Sequence, residues 1–480
     1  MRLKDLFLNN REVLNSDMES IAINKIQYDS RKIEKGDLFI AVKGFETDGH
    51  QYLQQVYEKG AAAAVVQDVN PHIALSQIVV SDSRTAMAEL AYNYYKDYLQ
   101  KLDLIGITGT NGKTTCSYLI HSMLEAAGIS CGLAGTIHYV IGTNRVEAWN
   151  TTPEAVDLYK MLADMQQAGN RACVLEVSSH ALALKRVSGL HFKVAVFTNL
   201  SRDHMDFHKD MDSYFSDKCK LFDQLSETGQ AVINRDDSYG KKIKTKNDTV
   251  YIGMDSSSAI YSENWQTDVA GTKVEVQTIQ GKIAINSSLV GGFNVYNILT
   301  TVATGIAMQI APHTIKEGIE NLKSVPGRLE KYPLKNGAIA VIDYAHTPDA
   351  LEKALSTLKE ITNNKLIVVF GCGGDRDKGK RPQMGRVAQD LADTIYVTDD
   401  NPRTEESLKI IDGILTGMEK TENVHIIANR KEAILTSVKN AREGDIVLIA
   451  GKGHETYQVI GKVKHDFDEA KIIREAEKDA

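Results

Sequence analysis

Short apolar segments alternate with helix-like patterns along most of the chain, which is typical of α/β domains. In the N-terminal part the apolar segments are bounded by glycine or polar residues, as buried strands usually are. The polar segment 96–103 predicts a linker, so a first domain is predicted over residues 1–100. The elements predicted in it are a strand within 36–44, a helix over 51–59 that Gly60 stops, a strand over 61–66 and a helix over about 84–98.

The same alternation continues in the middle of the chain, where it predicts a parallel, doubly wound sheet. An amphipathic helix over 114–127 ends at Gly128, and alternating apolar positions between 248 and 285 predict an added antiparallel hairpin. The segment 325–328, Val-Pro-Gly-Arg, predicts a hinge and so a central domain over 101–328. The strands predicted here are the segment from Leu104 to the following glycine loop, 173–177, 194–198 and 231–234.

Residues 329–480 repeat the strand and helix alternation and predict a C-terminal, Rossmann-like α/β domain. The predicted fold is therefore α/β with three domains, in which a central phosphate-loop sheet is flanked by an N-terminal and a C-terminal α/β domain. The elements predicted in the last domain are strands at 338–343, 366–370, 394–398, 425–427 and 446–450, and a helix from Pro348.

The segment 104–115 joins an apolar strand to a helix through a glycine-rich loop. Gly109 and Gly112 let backbone N–H groups turn inward, and Lys113 supplies a charge for the β- and γ-phosphates. Thr114 is placed to bind magnesium. The first glycine of the usual phosphate-loop pattern is displaced, yet strand, glycines, Lys-Thr-Thr and helix occur in register. The segment predicts a nucleoside triphosphate site rather than a chance turn.

Composition narrows the class of protein further. The 480 residues are 42% hydrophobic and 25% charged, which indicates an ordinary globular chain of about three domains. The net charge of −7 argues against general nucleic-acid binding. Five widely spaced cysteines without a C-x-x-C pair disfavour both disulfides and structural zinc, and no apolar stretch is long enough to span a membrane. A cytoplasmic location is expected.

Polar residues follow several predicted strands, where ligands of parallel sheets bind. These segments are 176–180, 198–204, 400–403 and 451–455. Singly, each is explained as well by a helix cap or a satisfied loop residue. Their convergence on sheet edges favours a site. The segment 371–376 imitates a dinucleotide fingerprint, but an arginine replaces its third glycine, so that signal is weak.

A set of motifs occurs in one order along nearly the whole chain. The motifs are Gly109-Thr-Asn-Gly-Lys-Thr-Thr115, Asn150-Thr-Thr-Pro153, Glu176-Val-Ser-Ser-His180, Thr198-Asn-Leu-Ser-Arg-Asp-His204, Asp343-Tyr-Ala-His346 and Asp400-Asn-Pro-Arg403. Together they resemble the Mur ligase family, and within it the MurE type. The resemblance implies a cytoplasmic enzyme of peptidoglycan precursor synthesis that acts as a monomer. It would join a third amino acid to UDP-N-acetylmuramoyl-L-alanyl-D-glutamate with ATP and Mg²⁺, through an acyl phosphate.

The resemblance also implies the role of individual residues. Catalysis would depend on Lys113, Lys218 and His204, and Lys218 would carry a carbamate. The metal ligands would be Thr114, Glu176, His204 and the Lys218 carbamate. ATP would be bound by Thr108, Gly109, Thr110, Asn111, Gly112, Lys113, Thr114, Asn294, Arg328, Asp343 and His346. The UDP-linked substrate would be bound by Ser30, Phe45, Glu46, Thr47, Asn150, Thr151, Thr152, Ser178 and Arg186.

The segment Asp400-Asn-Pro-Arg403 is typical of members that add meso-2,6-diaminopimelate. An arginine fork can hold the distal carboxylate that lysine lacks, through two charge-assisted hydrogen bonds. Arg376 would be a second cation, and Glu455 with the Gly451 carbonyl would meet the distal ammonium. The residues implied for this amino acid are Arg376, Asp400, Asn401, Pro402, Arg403, Gly451 and Glu455. The alternatives are ligation of L-lysine, a ligase like folylpolyglutamate synthetase, and a phosphate-loop ATPase that is not a ligase.

Overall fold

The structure is a computed structural model that describes residues 1–8, 13–45, 47–419 and 422–477. These residues form two compact units. The first contains 1–262, 276–283 and 296–319, and the second contains 263–275, 284–295 and the chain from Glu320 onward. In the described part of the chain, no helix has the length and apolar character needed to cross a membrane.

The N-terminal sheet has the strand order β1-β2-β3-β4, and all neighbouring strands are parallel. Its strands are apolar at successive positions because both faces are covered. Leu38 and Ile40 pack with Leu90 in one core, whereas Phe39 packs with Leu53 in another. The elements are α1 Leu3–Leu6, α2 Ser16–Glu19, β1 Ile26–Gln27, β2 Leu38–Ile40, α3 Leu53–Glu58, β3 Ala63–Val66, β4 Gln77–Val79 and α4 Ser83–Leu99.

The central sheet has the order β15-β14-β13-β12-β11-β10-β5-β9-β6-β7-β8. Strands β6, β9, β5, β10, β11, β12 and β13 are parallel. The elements are β5 Asp103–Thr108, α5 Lys113–Ala126, β6 Cys131–Ala134, β7 His138–Ile141, β8 Asn144–Glu147, α6 Ala155–Gln167, β9 Ala172–Glu176, α7 Ser179–Ala183, β10 Phe192–Phe197, α8 Met211–Cys219, β11 Leu225–Asn234, β12 Thr249–Gly253, β13 Ile260–Thr267, β14 Thr272–Thr278, β15 Gly281–Ser287, α9 Phe293–Ala307 and α10 Pro312–Asn321.

Two features of this region differ from the sequence prediction. The predicted linker 96–103 is wrong, because α4 continues to Leu99 and β5 begins at Asp103. Leu99 and Leu102 are buried, so the polar residues around them lie on ordered structure. The antiparallel strands β7 and β8 were not predicted. Strand β8 is exposed throughout and therefore has no apolar alternation to reveal it.

The sheet of the second unit has the order β16-β17-β21-β18-β19-β20. It is parallel except for the edge pair of β16 and β17, and one apolar core covers each face. This confirms the predicted α/β class. The elements are β16 Glu330–Pro333, β17 Ile339–Asp343, α11 Pro348–Ile361, β18 Leu366–Phe370, α12 Lys380–Leu391, β19 Thr394–Val397, α13 Ser407–Leu415, β20 Val424–Ile426, α14 Arg430–Asn440, β21 Ile446–Ala450, β22 Tyr457–Ile460, β23 Val463–Asp466 and α15 Glu469–Ala476.

Candidate active site

The phosphate loop connects β5 to α5 at the carboxyl edge of the central sheet. Gly109 and Gly112 have positive φ angles of 148° and 85°, which residues with a side chain rarely adopt. A Cβ on Gly109 would lie 1.9 Å from Thr198 Oγ1, and a Cβ on Gly112 would lie 2.7 Å from Asn297 Oδ1. The loop therefore needs glycine at both positions. Asn297, on α9, had no sequence signal that linked it to this loop.

The chain that follows β10 holds the phosphate loop in place. Thr198 donates its hydroxyl to the Asn111 carbonyl at 2.6 Å, and its backbone N–H donates to the Thr108 carbonyl at 3.0 Å. Asn199 accepts on its carbonyl from Thr110 N at 2.9 Å and on its side chain from Asn111 N at 3.0 Å. Segment 198–199 is thus a brace for the loop, which explains part of one predicted motif.

Two lysines meet on one side of the loop. Lys113 donates to the carbonyls of Gly109 and Thr110 at 2.8 and 2.9 Å. Lys218, on α8, donates to the same Gly109 carbonyl at 2.9 Å and lies over the Tyr214 ring. Lys218 is only 1% exposed, and burial, followed by the charge of Lys113, lowers its pKa well below the usual value. Lys218 is therefore not the solvated helix lysine that its neighbours in the sequence alone would suggest.

Glu176 ends β9 beside the first turn of α5 and is 1% exposed. Its carboxylate accepts from the Thr114 hydroxyl at 2.9 Å, from Thr136 N at 3.0 Å and from the Thr136 hydroxyl at 3.0 Å. Ser117 lies 3.5 Å away. Gly135 admits the carboxylate, since a Cβ there would lie 2.3 Å from Glu176 Oε1. All of these donors are neutral, and the buried carboxyl group lies next to the Thr114 hydroxyl.

This donor set fits a hard divalent cation. Carboxylate and hydroxyl oxygens are the ligands that Mg²⁺ prefers. Partial burial, followed by the charges of Lys113 and Lys218, lowers the pKa of His204, which favours the neutral imidazole that binds metals. His, Cys, Asp and Glu alone form no metal-holding group of three or more among the described residues. The set proposed from the sequence differs in that it includes Thr114 and a modified Lys218.

His204 also has an unusual backbone. Its φ is 55°, in the left-handed region, and its N–H donates to Asp203 Oδ1 at 2.8 Å. The imidazole stands edge-on to the rings of His180 and Tyr214, with centroids 4.9 and 6.2 Å apart. The neighbouring His208 is buried and lies 3.2 Å from Asp217, on the helix that carries Lys218. Neither His208 nor Tyr214 was among the predicted site residues.

Segment 150–152 lies beside Glu176. The Thr152 hydroxyl donates to the Glu176 carbonyl at 2.7 Å, and the Thr151 hydroxyl lies 3.1 Å from that of Thr136. The buried Tyr139 hydroxyl contacts both backbone groups of Asn150, donating to O at 2.5 Å and accepting from N at 3.1 Å. The predicted substrate segment 150–152 is thus held next to the Glu176 carboxyl group. Tyr139 and Thr136 belong to the unpredicted β7 region.

Arg186 was predicted as a cation for the pyrophosphate or peptide. In the structure it pairs with Glu154 at 2.7 Å and donates to the Thr152 carbonyl at 2.9 Å. Glu154 also pairs with Arg84 of α4 at 3.3 Å. Arg186 therefore supports segment 150–152. Ser178 is the N-cap of α7, where it accepts from the N–H of the third helical residue.

The remaining predicted substrate residues lie around the N-terminal sheet. Ser30 is buried at the start of a 3-10 helix capped by Asp29, and its carbonyl accepts from Lys59 Nζ at 2.9 Å. Phe45 is 77% exposed and stands edge-on to Phe207 at 5.8 Å between centroids. Thr47 closes a turn by accepting from the N–H of residue 44. Glu46 lies outside the described residues.

The second unit holds the other predicted ATP residues. Asp343 ends β17 and accepts from Leu329 N at 2.8 Å and Ala345 N at 2.9 Å, while burial raises its pKa. Arg328 lies over the Tyr344 ring at 5.0 Å. His346 lies 2.8 Å from the Tyr344 carbonyl. These residues form one group. Asn294 is buried elsewhere in this unit, and its side chain donates to the Val290 carbonyl.

The predicted amino-acid residues come from three loops of the same unit. Arg403 has a φ of 52° and donates to the Gly374 carbonyl at 2.8 Å. A Cβ on Gly374 would lie 1.9 Å from the Pro402 carbonyl, which explains the glycines of the imitated dinucleotide fingerprint. Arg376 is exposed in the same loop. These glycines serve loop-to-loop packing.

Asp400 and Asn401 meet the third loop. Asn401 donates to Glu455 Oε2 at 3.2 Å, and both Asp400 and Asn401 are buried. Gly451 begins this loop with a φ of 122°, a conformation that residues with a side chain rarely adopt. The structure thus brings Asp400, Asn401, Gly451 and Glu455 to one sheet edge.

The fold and this site define a phosphate-loop α/β protein with a buried carboxylate next to the loop and a separate acidic and basic loop cluster. Family models match three stretches of the chain: "Mur ligase family, catalytic domain" over 22–95, "Mur ligase middle domain" over 107–305, and "Mur ligase, glutamate ligase domain" over 327–453. The chain belongs to the Mur ligase family.

Two curated relatives cover almost the whole chain. A Clostridium botulinum protein named UDP-N-acetylmuramoyl-L-alanyl-D-glutamate--2,6-diaminopimelate ligase is 42% identical over 94% of this chain and 95% of its own length. A Clostridioides difficile protein of the same name is 42% identical over 99% of each chain.

Solved structures show the same architecture. One titled as a UDP-N-acetylmuramoyl-L-alanyl-D-glutamate--2,6-diaminopimelate ligase has a TM-score of 0.72 and 32% identity, and covers 98% of both chains. MurF ligase from Thermotoga maritima, in complex with ADP, has a TM-score of 0.64 at 19% identity over 95% of this chain and 99% of that one. The folylpolyglutamate synthase of Mycobacterium tuberculosis has a TM-score of 0.62 at 18% identity, over 76% of this chain and 92% of that one. The last two show the fold alone.

Proposed function

We propose that this chain is an ATP-dependent amide ligase that adds meso-2,6-diaminopimelate to the D-glutamate γ-carboxylate of UDP-N-acetylmuramoyl-L-alanyl-D-glutamate. Full-length relatives at 42% identity carry the name of this enzyme. The observation that carries the proposal is a glycine-dependent phosphate loop next to buried Glu176. It is supported by the Asp400-Asn-Pro-Arg403 segment, which resembles that of members that add diaminopimelate.

The reaction must overcome the low reactivity of a carboxylate toward an amine. The γ-carboxylate attacks the γ-phosphorus of ATP, and the bond from this phosphorus to the β-γ bridging oxygen breaks. The products of this step are an acyl phosphate and ADP. The neutral amine then attacks the acyl carbon and loses a proton. Phosphate is expelled, and the product is the amide. Negative charge grows on the transferred phosphoryl oxygens, and Lys113 is the cation that the loop itself supplies.

Mg²⁺ would neutralise phosphate charge in this reaction. Thr114, Glu176 and His204 are the side chains that would hold it, and their oxygen and imidazole donors suit it. The proposed fourth ligand is a carbamate on Lys218. The lowered pKa of Lys218 favours its neutral amine, which would bond to the carbon of CO₂ and lose one proton.

The amino acid would be selected by its distal end. Arg403 and Arg376 would hold the distal carboxylate, and Glu455 with the Gly451 carbonyl would hold the distal ammonium. With lysine bound, the Arg403 fork would face no carboxylate, a penalty of roughly 3 kcal/mol or about a hundredfold in discrimination. This favours diaminopimelate over lysine.

The proposal extends to organisation and setting. We propose the three domains 1–100, 101–328 and 329–480, a monomer, and a cytoplasmic location, where the nucleotide-linked substrate and ATP are made. The partners are the UDP-linked dipeptide, diaminopimelate and ATP, and the net charge of −7 speaks against nucleic acid.

One assay separates the candidate functions. Purified protein receives ATP, Mg²⁺ and the UDP-linked dipeptide together with diaminopimelate, L-lysine or no amino acid, and a parallel reaction receives a folate and glutamate. ADP release is measured, and the product is weighed by mass spectrometry. We expect ADP and a diaminopimelate adduct in the first mixture alone. Continuous ADP release in the mixture without an amino acid would indicate an ATPase, and a lysine or glutamate adduct would indicate one of the other ligases.

A further inference from the structure

A completely buried lysine contacts the loops proposed to bind the amino acid. Lys452 is 0% exposed, directly follows Gly451, and was not a predicted site residue. Its ammonium donates to Asn401 Oδ1 and to Glu455 Oε2, each at 3.1 Å, and lies 3.7 Å from Asp400 Oδ1. A buried ammonium is costly unless it is paired, so these contacts define its place.

Lys452 connects two loops that start from different strands. Asp400 and Asn401 follow β19, whereas Lys452 and Glu455 follow β21, and β18 lies between these strands in the sheet. The chain of β22 adds a backbone contact, because Val459 N donates to the Asn401 side-chain oxygen at 2.8 Å. The lysine thus fixes the spacing of the loops at the point where they meet.

Lys452 also decides which way the Asn401 amide faces. An ammonium can only donate, so the Asn401 oxygen must face Lys452 and Val459 N. The amide nitrogen is then left to donate to Glu455 Oε2, at 3.2 Å. Glu455 Oε2 receives both donors, from Lys452 and from Asn401. One carboxylate oxygen is therefore used to anchor Glu455, and its side chain is held in one orientation.

We infer that Lys452 is a positioning residue that sets the orientation of Glu455 and Asn401 for recognition of the ammonium group at the distal end of the incoming amino acid. The inference rests on the proposed function. It adds a determinant of amino-acid affinity that acts through Glu455. Lys452 has no direct role in the phosphoryl transfer that the other unit supports.

The test compares Lys452→Met with Lys464→Met. Lys464 is an exposed lysine that lies over the same Tyr457 ring as Lys452, with Nζ 3.9 Å from the centroid against 5.5 Å. Steady-state KM values are measured for diaminopimelate, for ATP and for the UDP-linked dipeptide, together with kcat and the thermal unfolding midpoint. We expect K452M to raise KM for diaminopimelate at least about 30-fold and the other two KM values less than about threefold. K464M should match the wild type.

A double-substitution cycle with Glu455→Gln tests whether Lys452 acts through Glu455. If it does, adding K452M to E455Q should raise KM for diaminopimelate much less than K452M does in the wild type. Equal increases in both backgrounds, or equal increases in all three KM values, would overturn the inference. If K452M does not fold, the same measurements are made on Lys452→Arg. The arginine guanidinium keeps the positive charge but cannot place one nitrogen between Asn401 and Glu455. Failure of the wild type to use diaminopimelate would instead refute the proposed function.

Discussion

Lys113 and Lys218 donate to the same atom, the carbonyl oxygen of Gly109, at 2.8 and 2.9 Å. Lys113 belongs to the loop that it closes, whereas Lys218 reaches the loop from α8. Burial and the neighbouring positive charge both disfavour the protonated form of Lys218 and lower its pKa. A neutral amine is the form that reacts with CO₂, so the burial of Lys218 and its closeness to Lys113 supply a physical reason for the proposed carbamate.

Substitution of Lys218 by alanine should remove turnover while the fold remains. We expect kcat to fall at least about 10³-fold, because the proposed anionic ligand is lost, an effect of about 4 kcal/mol on the barrier. Lys220→Ala is the control, since Lys220 is a half-exposed lysine two positions further along the chain that pairs with Asp217. ADP release and thermal unfolding are measured for both. Wild-type activity in K218A would remove Lys218 from the site.

Substitution of Glu176 by glutamine should weaken the proposed metal site. The amide would turn an NH₂ group toward donors such as Thr136 N, so we expect a loss of about 1–3 kcal/mol in stability. We also expect kcat to fall about 10²-fold or more and the Mg²⁺ concentration that gives half-maximal activity to rise. Activity is measured across a magnesium titration, with the exposed Glu227→Gln as control. An unchanged magnesium dependence would contradict the assignment of Glu176.

Substitution of Arg403 by alanine should reduce the preference for diaminopimelate over lysine. The proposed distal carboxylate would lose its fork, and the ratio of the two kcat/KM values should fall by about 10²-fold. Arg386→Ala, which removes a half-exposed surface arginine paired with Glu419, is the control. Competition between the two amino acids, followed by mass analysis of the product, measures the ratio. A preference that survives in R403A would place its origin elsewhere.

Acid should destabilise the loops of the second unit through Glu405. Its hydrogen bond from Arg381, with a second from Asp375 N, lowers its pKa to about 2. A carboxylate whose pKa is lower in the folded state stabilises the fold above its unfolded pKa, near 4.5, and this contribution is lost as the pH falls toward 2.

Glu405→Gln should therefore flatten the fall of the unfolding midpoint between pH 4.5 and 2, relative to the wild type. The control is Glu406→Gln, because Glu406 is an adjacent exposed carboxylate that pairs with the exposed Lys409 at 3.0 Å. Thermal unfolding is followed across this pH range. Parallel curves for E405Q and wild type would rule out the linkage.

The sequence by itself determined the α/β class, the phosphate loop and the strand-end positions of Glu176 and Asp400. These follow from local patterns in the sequence: apolar segments of strand length, a glycine-rich loop, and a Lys-Thr pair at the start of a predicted helix. The family resemblance added Lys218, because the residues next to it in the sequence are typical of a solvated helix. No pattern revealed β8, because all of its positions are exposed.

Only the tertiary structure decided how these residues are held. It buried Lys218 against Gly109, joined Arg186 to Glu154, surrounded Glu176 with neutral donors, and placed Lys452 between two loops. Each of these contacts links positions far apart along the chain, except the short step from Lys452 to Glu455. Burial and charge pairing depend on such distant neighbours, and a single sequence specifies them only through the complete fold.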